Sequence, residues 1–261
     1  MTFAEYLRVD ATNWSLLRWM ARSPAHYQYA KAHGTEDTKA KAAGRALHVA
    51  VLEPAEFGHR YAVWAGGDRR AKGYAAFVEA SPGREILTEA EYEEVKAKSL
   101  AVHSHPVAGP LVRQCEAEFT LRWHLDGRAC KGRLDGIHHA GHRVVDLKGL
   151  RDASPEGMGR AVMTYQYLGQ AAFYVDGCRA AFGGDWGFSF IAVESSPPYA
   201  VGVYRVPPEA LEKGRMEYRR LLRRLSECEE SGVWPGYGET EQVLQLPNWA
   251  WQSNEAGEVV P

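Results

Sequence analysis

The chain has 261 residues, 45% of them hydrophobic, enough to bury a substantial core and suited to one large domain. Its 31 basic and 33 acidic residues leave a formal net charge of −2, which speaks against a uniformly basic nucleic-acid-coating protein but is compatible with a locally basic cleft. Residues 1–14 lack a basic segment followed by an apolar run, and no stretch approaches the roughly 20 apolar residues that cross a bilayer, so a cytoplasmic protein with no membrane partner is expected. Cys115, Cys130, Cys178 and Cys228 are scattered without a CxxC pair, which argues against a zinc knuckle or redox motif. No G-x-x-x-x-G-K-[ST] segment is present, so no ATP-driven motor is expected.

Residues 13–33 place Trp14, Leu17, Met20 and Ala21 at helical spacing, with a break at Ser23-Pro24 where a second helix starts. Residues 38–57 read as a helix rich in small residues, with Ala43, Ala46, Leu47, Ala50 and Val51 on one packed face and Pro54 ending or bending it. Thr88 followed by Glu91 forms a capping box for a helix over 88–103. Three strands follow. Residues 116–125 alternate, with Phe119, Leu121 and Trp123 on one face, and Asp126-Gly127 signals a hairpin into 128–139. A turn at Ala140-Gly141 leads to 142–148, which completes a meander. A long helix is expected over 155–182, strands over 187–194 and 199–206, and an amphipathic helix over 208–230 carrying Leu211, Met216, Tyr218, Leu222 and Leu225. The tail reads as irregular and packed by its aromatics. The expected fold class is α/β (α+β): a central mixed sheet with a three-strand antiparallel meander, flanked by helices. One domain spans 1–261 in this reading, helical over 1–114, sheet over 115–206, helix and tail over 207–261.

Chemistry concentrates in residues 133–148. Asp135 and Asp146 lie near the ends of adjacent strands, where their carboxylates can converge at a sheet edge. Lys148, two residues past Asp146, shares its face. Two carboxylates and an ammonium suit phosphodiester cleavage: the carboxylates hold Mg²⁺, and the lysine orients water or stabilises developing charge. The D-x-K spacing alone fits a surface ion pair equally well, but Asp146 follows Val144-Val145 in a strand expected to be buried, where an unpaired charge is costly. The histidines His138, His139 and His142 fit a solvated hairpin tip better than a zinc site, because neighbours along a strand point to opposite faces. Arg219 to Arg224 form a basic run, read first as the exposed face of an amphipathic helix.

An aspartate, ten residues and then D-x-K on adjacent strands resembles the PD-(D/E)xK nuclease superfamily. AAGRALH (42–48), GQAAFY (169–174) and SPAHYQY (23–29) resemble motifs of its RecB and lambda-exonuclease-like group. WP (234–235) and LPNW (246–249) bring the chain nearest to the RecE (exodeoxyribonuclease VIII) type. The resemblance covers about residues 13–250. It implies a restriction-endonuclease-like core in which His48, Asp135, Asp146 and the backbone carbonyl of Leu147 hold the metal. Lys148 is then catalytic, Glu118 positions metal or water, and Gln170 and Tyr174 line the channel near the scissile phosphate. Arg45, one turn before His48, is a candidate DNA contact. Leu134 stands where the superfamily's name has proline, and the cysteines of the iron–sulfur relatives are missing, so no such cluster is expected. The implied activity is Mg²⁺-dependent exonuclease digestion of double-stranded DNA, 5′ to 3′, with Mn²⁺ as an acceptable substitute. A ring-shaped homo-oligomer, trimer or tetramer, and a single-strand annealing protein are the implied partners. The alternatives are a single-strand-specific or endonucleolytic relative, and a non-catalytic DNA-end-binding scaffold of the same fold.

Overall fold

The computed structural model describes residues 3–238 and 240–247. Its helices are α1 (Phe3–Arg8), α2 (Trp14–Leu17), α3 (Pro24–His33), α4 (Lys39–Leu52), α5 (Phe57–Arg60), α6 (Tyr74–Glu79), α7 (Glu89–Ser104), α8 (Ala108–Arg113), α9 (Pro155–Thr164), α10 (Tyr167–Phe182) and α11 (Pro208–Ser231). The strands are β1 (Tyr61–Trp64), β2 (Glu85–Thr88), β3 (Glu116–Leu125), β4 (Arg128–His138), β5 (Arg143–Leu150), β6 (Gly187–Glu194) and β7 (Val201–Arg205). Strands β3 to β7 form one sheet in chain order, antiparallel except for the parallel pair β5–β6. This is the mixed sheet with an antiparallel meander, flanked by helices, of a restriction-endonuclease-like fold. The crossover from β5 to β6 runs through α9 and α10, the helical connection that a parallel pair requires.

Strand alternation sends Val144, Phe188 and Phe190 into a core shared with α2, α10 and α11, and Leu134 and Ile137 both join it because the ladder is interrupted between them. The opposite set, Val145, Leu147, Ile191 and Val193, packs under α4, α7 and α8. Asp126 and Gly127 have φ of 50° and 80°, the left-handed pair of a two-residue hairpin, and they set the register Leu125 opposite Arg128. The capping box of Thr88 and Glu91 is formed. Among the described residues no helix is long and apolar enough to cross a membrane.

Several expectations are corrected. Residues 155–182 form two helices, because Gln166 adopts φ 58° and turns the chain between α9 and α10. The helix expected over 38–57 ends at Leu52, since Pro54 has no N–H to continue it and starts a separate short turn. Ala43 is exposed, so the packed face of α4 begins at Ala46. Met216 is 62% exposed, off the buried stripe of α11 made by Leu211, Tyr218, Leu222 and Leu225. The small parallel pair β1–β2 and helices α1, α6 and α8 add to the expected elements, their sequences carrying no strong periodicity. In the tail, Trp234 stacks on Tyr27 at 5.8 Å, and the Tyr237 hydroxyl accepts a 2.8 Å hydrogen bond from Arg22. Asn248 and Trp249 of the LPNW segment lie outside the described residues.

Candidate active site

The site arises where two ladders are interrupted at the same level. The pairing of β3 with β4 runs on both sides of Glu118 and Asp135 but skips that one pair, and Glu118 has a left-handed φ of 51°. Strands β4 and β5 pair only from His138–Arg143 to Gly136–Val145. The next pair in register would be Asp135 and Asp146, and there the strands part. Glu118, Asp135 and Asp146 therefore occupy one row across three strands. Below the fork, the N-terminal segment replaces β5 as the partner of β4: Thr12 donates to Ala129 O at 2.9 Å and accepts from Lys131 N at 2.8 Å. The buried Lys131 Nζ donates to Tyr6 O and Val9 O, both at 2.8 Å, which ties that segment down.

The freed groups at the fork find specific partners. The N–H of Leu147 donates to Asp135 Oδ2 at 2.8 Å instead of to a strand. A strand residue's N–H and C=O face the same neighbour, so the Leu147 carbonyl opens toward the same fork. His48, delivered by α4 across that face, sets Nδ1 3.5 Å from Asp135 Oδ2. Ligand atoms of His48, Glu118 and Asp135 all lie within 4.8 Å of one another. Glu118 Oε2 also accepts from Arg133 Nε at 2.5 Å.

Asp146 stands slightly apart from this trio, 2% exposed and held by the α10 side of the sheet. Lys148 Nζ lies 2.6 Å from Asp146 Oδ2, and Gln170 bridges the two, donating to Asp146 Oδ1 at 3.0 Å and accepting from Lys148 at 3.2 Å. The ring of Tyr167 covers the ammonium at 4.6 Å. Asp146 Oδ2 touches the lysine charge but accepts no well-aligned hydrogen bond, leaving a buried lone pair for another cation. Tyr174, one turn beyond Gln170, is buried in the core beneath the site rather than standing in an open channel. Its ring lies so close to β4 that a Cβ at Gly132 would sit 2.8 Å from it.

Burial and neighbouring charge divide the acids. Burial pushes the Asp146 carboxyl up to about 6 against the pull of Lys148. Burial also raises Asp135, but the charge and hydrogen bond of His48, with Lys148 and the Leu147 N–H, hold it below the usual carboxylate range. Burial would lower the His48 imidazole, yet Asp135 carries it up to about 9. For Lys148 burial is outweighed by Asp146 and Asp135, so its ammonium is strengthened. Burial raises Glu118 despite Arg133.

Carboxylate oxygens, one imidazole and an under-satisfied buried oxygen form a donor set suited to a divalent cation that prefers oxygen. Hairpin register gives Glu118, implied beside the metal by the resemblance, its place in the row: counting outward from Asp126-Gly127 sets it opposite Asp135. Arg45 is engaged elsewhere. It holds Asp37 through two hydrogen bonds at 2.7 and 3.0 Å and Glu85 through two at 3.2 and 3.1 Å. Of the tip histidines His138 is half-buried and the other two are exposed yet not simply solvated, since His142 stacks on Trp186 at 5.0 Å and His139 meets Phe119 and Phe182 edge-on.

A family model described as a PDDEXK-like domain of unknown function (DUF3799) matches residues 13–247. Among solved structures, that of a candidate exonuclease from Eubacterium rectale is similar with a TM-score of 0.66, covering 94% of this chain and 93% of its own, at 13% identity. That likeness is one of fold. An alkaline exonuclease from Laribacter hongkongensis aligns with a TM-score of 0.31 at 12% identity, over 72% of this chain and 95% of its own. Among curated proteins none matches.

Proposed function

The chain belongs to the PDDEXK-like family DUF3799, and from this premise we propose that it is a Mg²⁺-dependent deoxyribonuclease, an exonuclease that digests one strand of double-stranded DNA from an end. The observation that carries the reading is the row Glu118–Asp135–Asp146 at the fork, with Lys148 beside it and His48 above it. In this reading His48, Asp135, Asp146 and the Leu147 carbonyl hold the ion, and Glu118 supplements them from the same row. Bound there, Mg²⁺ would polarise the scissile phosphate and acidify the attacking water. Lys148 orients that water and offsets charge developing on the phosphate, and Gln170 keeps its ammonium in place. Tyr174 acts from below as a positioning residue by packing Gln170's helix against β4. By resemblance the polarity is 5′ to 3′, the active form is a ring-shaped trimer or tetramer around duplex DNA, and the exposed 3′ strand passes to a single-strand annealing protein for recombination.

The test is digestion of linear duplexes labelled at the 5′ or 3′ end, with and without a 5′-phosphate, beside nicked and circular DNA. Release of the 5′ label first, sparing of circles, and a loss of about 10³-fold or more in Lys148→Ala and Asp146→Ala are expected. Unchanged cleavage by either variant would overturn the catalytic assignment. Cleavage of circles would move the assignment to an endonuclease. Calorimetry showing no Mg²⁺ or Mn²⁺ binding, together with DNA-end binding, would favour the non-catalytic scaffold. Light scattering of the purified chain tests the ring.

A further inference from the structure

On the face of the sheet opposite Asp146 and Lys148 lies a cavity of about 650 Å³ with a different chemistry. Strand register assembles its polar floor: Val145 pairs with Ser189 and Ser189 pairs with Arg205, so Ser189 and Arg205 share the face of Val145, and Arg143, two residues before Val145, shares it too. Arg143 and Arg205 therefore reach the cavity from either side of Ser189, across three adjacent strands.

These two arginines differ from their neighbours. Arg179 and Arg215, at the same end of the sheet, are bound to Asp185 and Asp176. Neither Arg143 nor Arg205 makes an ion pair or side-chain hydrogen bond among the described residues. The hydroxyl of Ser189, a residue only 1% exposed, also has no hydrogen-bond partner among them, although it lines the cavity. Two guanidiniums lacking carboxylates, with a hydroxyl open to the same cavity, form a receptor for an anion. On the rim, His105 Nδ1 accepts from the N–H groups of Val107 and Ala108 at 3.2 and 3.1 Å, which leaves the ring proton on Nε2 as a further donor. The remaining wall is apolar at Pro106, Val107, Pro110, Leu111 and Val203, with Gln114 as its one amide.

We propose that this cavity binds a single nucleotide, its phosphate held by Arg143, Arg205 and the Ser189 hydroxyl, and its sugar and base resting on the apolar wall. Guanidinium forks match phosphate oxygens, and the volume falls in the range of about 300–1,000 Å³ typical of small-molecule sites. The cavity shares no lining residue with the catalytic row, so it binds its ligand whether or not the chain is a nuclease.

The test is calorimetry on the full chain in EDTA, with deoxyadenosine 5′-monophosphate, inorganic phosphate, deoxyadenosine and a single-stranded oligonucleotide as probes. The monophosphate is expected to bind at least about 10-fold more tightly than phosphate, and deoxyadenosine is expected not to bind. Arg205→Gln, at an exposed position, should weaken the monophosphate at least about 10-fold with an unchanged melting temperature, and Arg143→Gln should do the same. Unaltered binding in both variants, or no binding by the wild type, overturns the site. Equal affinity for phosphate and monophosphate overturns the nucleotide assignment. An oligonucleotide that binds more tightly than the monophosphate and is lost in both variants overturns it in favour of a strand path.

Discussion

At the fork between β4 and β5, four ionisable side chains sit in contact and settle one another's protons. With Asp135 holding the His48 imidazole up to about 9, that ring is protonated at neutral pH. A metal ligand must offer a lone pair, so ion binding there has to expel this proton. Mn²⁺ binding at pH 7 is therefore expected to release about one proton, read as the dependence of calorimetric heat on the ionisation enthalpy of the buffer. The affinity should rise with pH toward about 9 as the proton becomes easier to remove, and should fall as pH drops through about 6, where Asp146 takes up its own proton. In His48→Gln the released proton should vanish. A wild-type value of zero would mean that His48 is either neutral before the ion arrives or not a ligand, and an unchanged affinity in His48→Gln would select the second.

Two contacts between elements hold the helix that carries Gln170. Gly214 of α11 meets the start of α10 so closely that a Cβ there would lie 2.1 Å from the Leu168 carbonyl oxygen. That neighbour is backbone and cannot swing aside, so Gly214→Ala must push the helices apart. A cost of about 1–3 kcal/mol, or roughly 2–10 °C in melting temperature, is expected. Since the displaced backbone lies two residues before Gln170, activity should fall as well. Farther along the same interface, Asp176 accepts from Arg215 at 2.7 and 2.6 Å and from the Tyr218 hydroxyl at 2.5 Å. Burial raises Asp176, but these donors hold it below the usual carboxylate range. A depressed carboxylate stabilises the fold above its unfolded value of about 3.9, and that contribution is lost as pH falls through the folded value. Asp176→Ala should then cost about 2–4 kcal/mol at pH 7, by leaving Arg215 half-orphaned, and progressively less in acid. Chemical denaturation at pH 7 and pH 3 measures both.

For the molecule as a whole, the net charge of −2 means that any grip on DNA is local. If duplex binding rests on a few cationic groups around the fork, affinity in EDTA should fall by roughly 10- to 100-fold between 50 and 200 mM salt, less than for a protein neutralising six to ten phosphates. Fluorescence anisotropy with a labelled duplex end checks this, and a steeper loss would reveal a more extensive basic surface. The sheet also partitions the molecule. Its α10 face bears Asp146, Lys148 and the larger core, while the other face bears His48's helix and, at the far end, the cavity between Arg143 and Arg205.

The sequence by itself determined the meander, since alternation in Phe119, Leu121 and Trp123 and the left-handed pair Asp126-Gly127 are local properties of the chain. Asp146 and Lys148 were legible as same-face neighbours because strand geometry repeats every two residues. Asp135 and Asp146 were legible as converging, but they meet at an internal fork rather than at the strand ends, because the N-terminal segment competes for the edge of β4. Only the tertiary structure could decide that Arg45 is spent on Asp37 and Glu85, and that Tyr174 is buried. The break at Gln166 was equally hidden, since its left-handed turn answers to the packing of α10 and not to a local glycine or proline. Periodicity reports which face a residue occupies, whereas charge pairing and burial depend on what distant segments bring to that face.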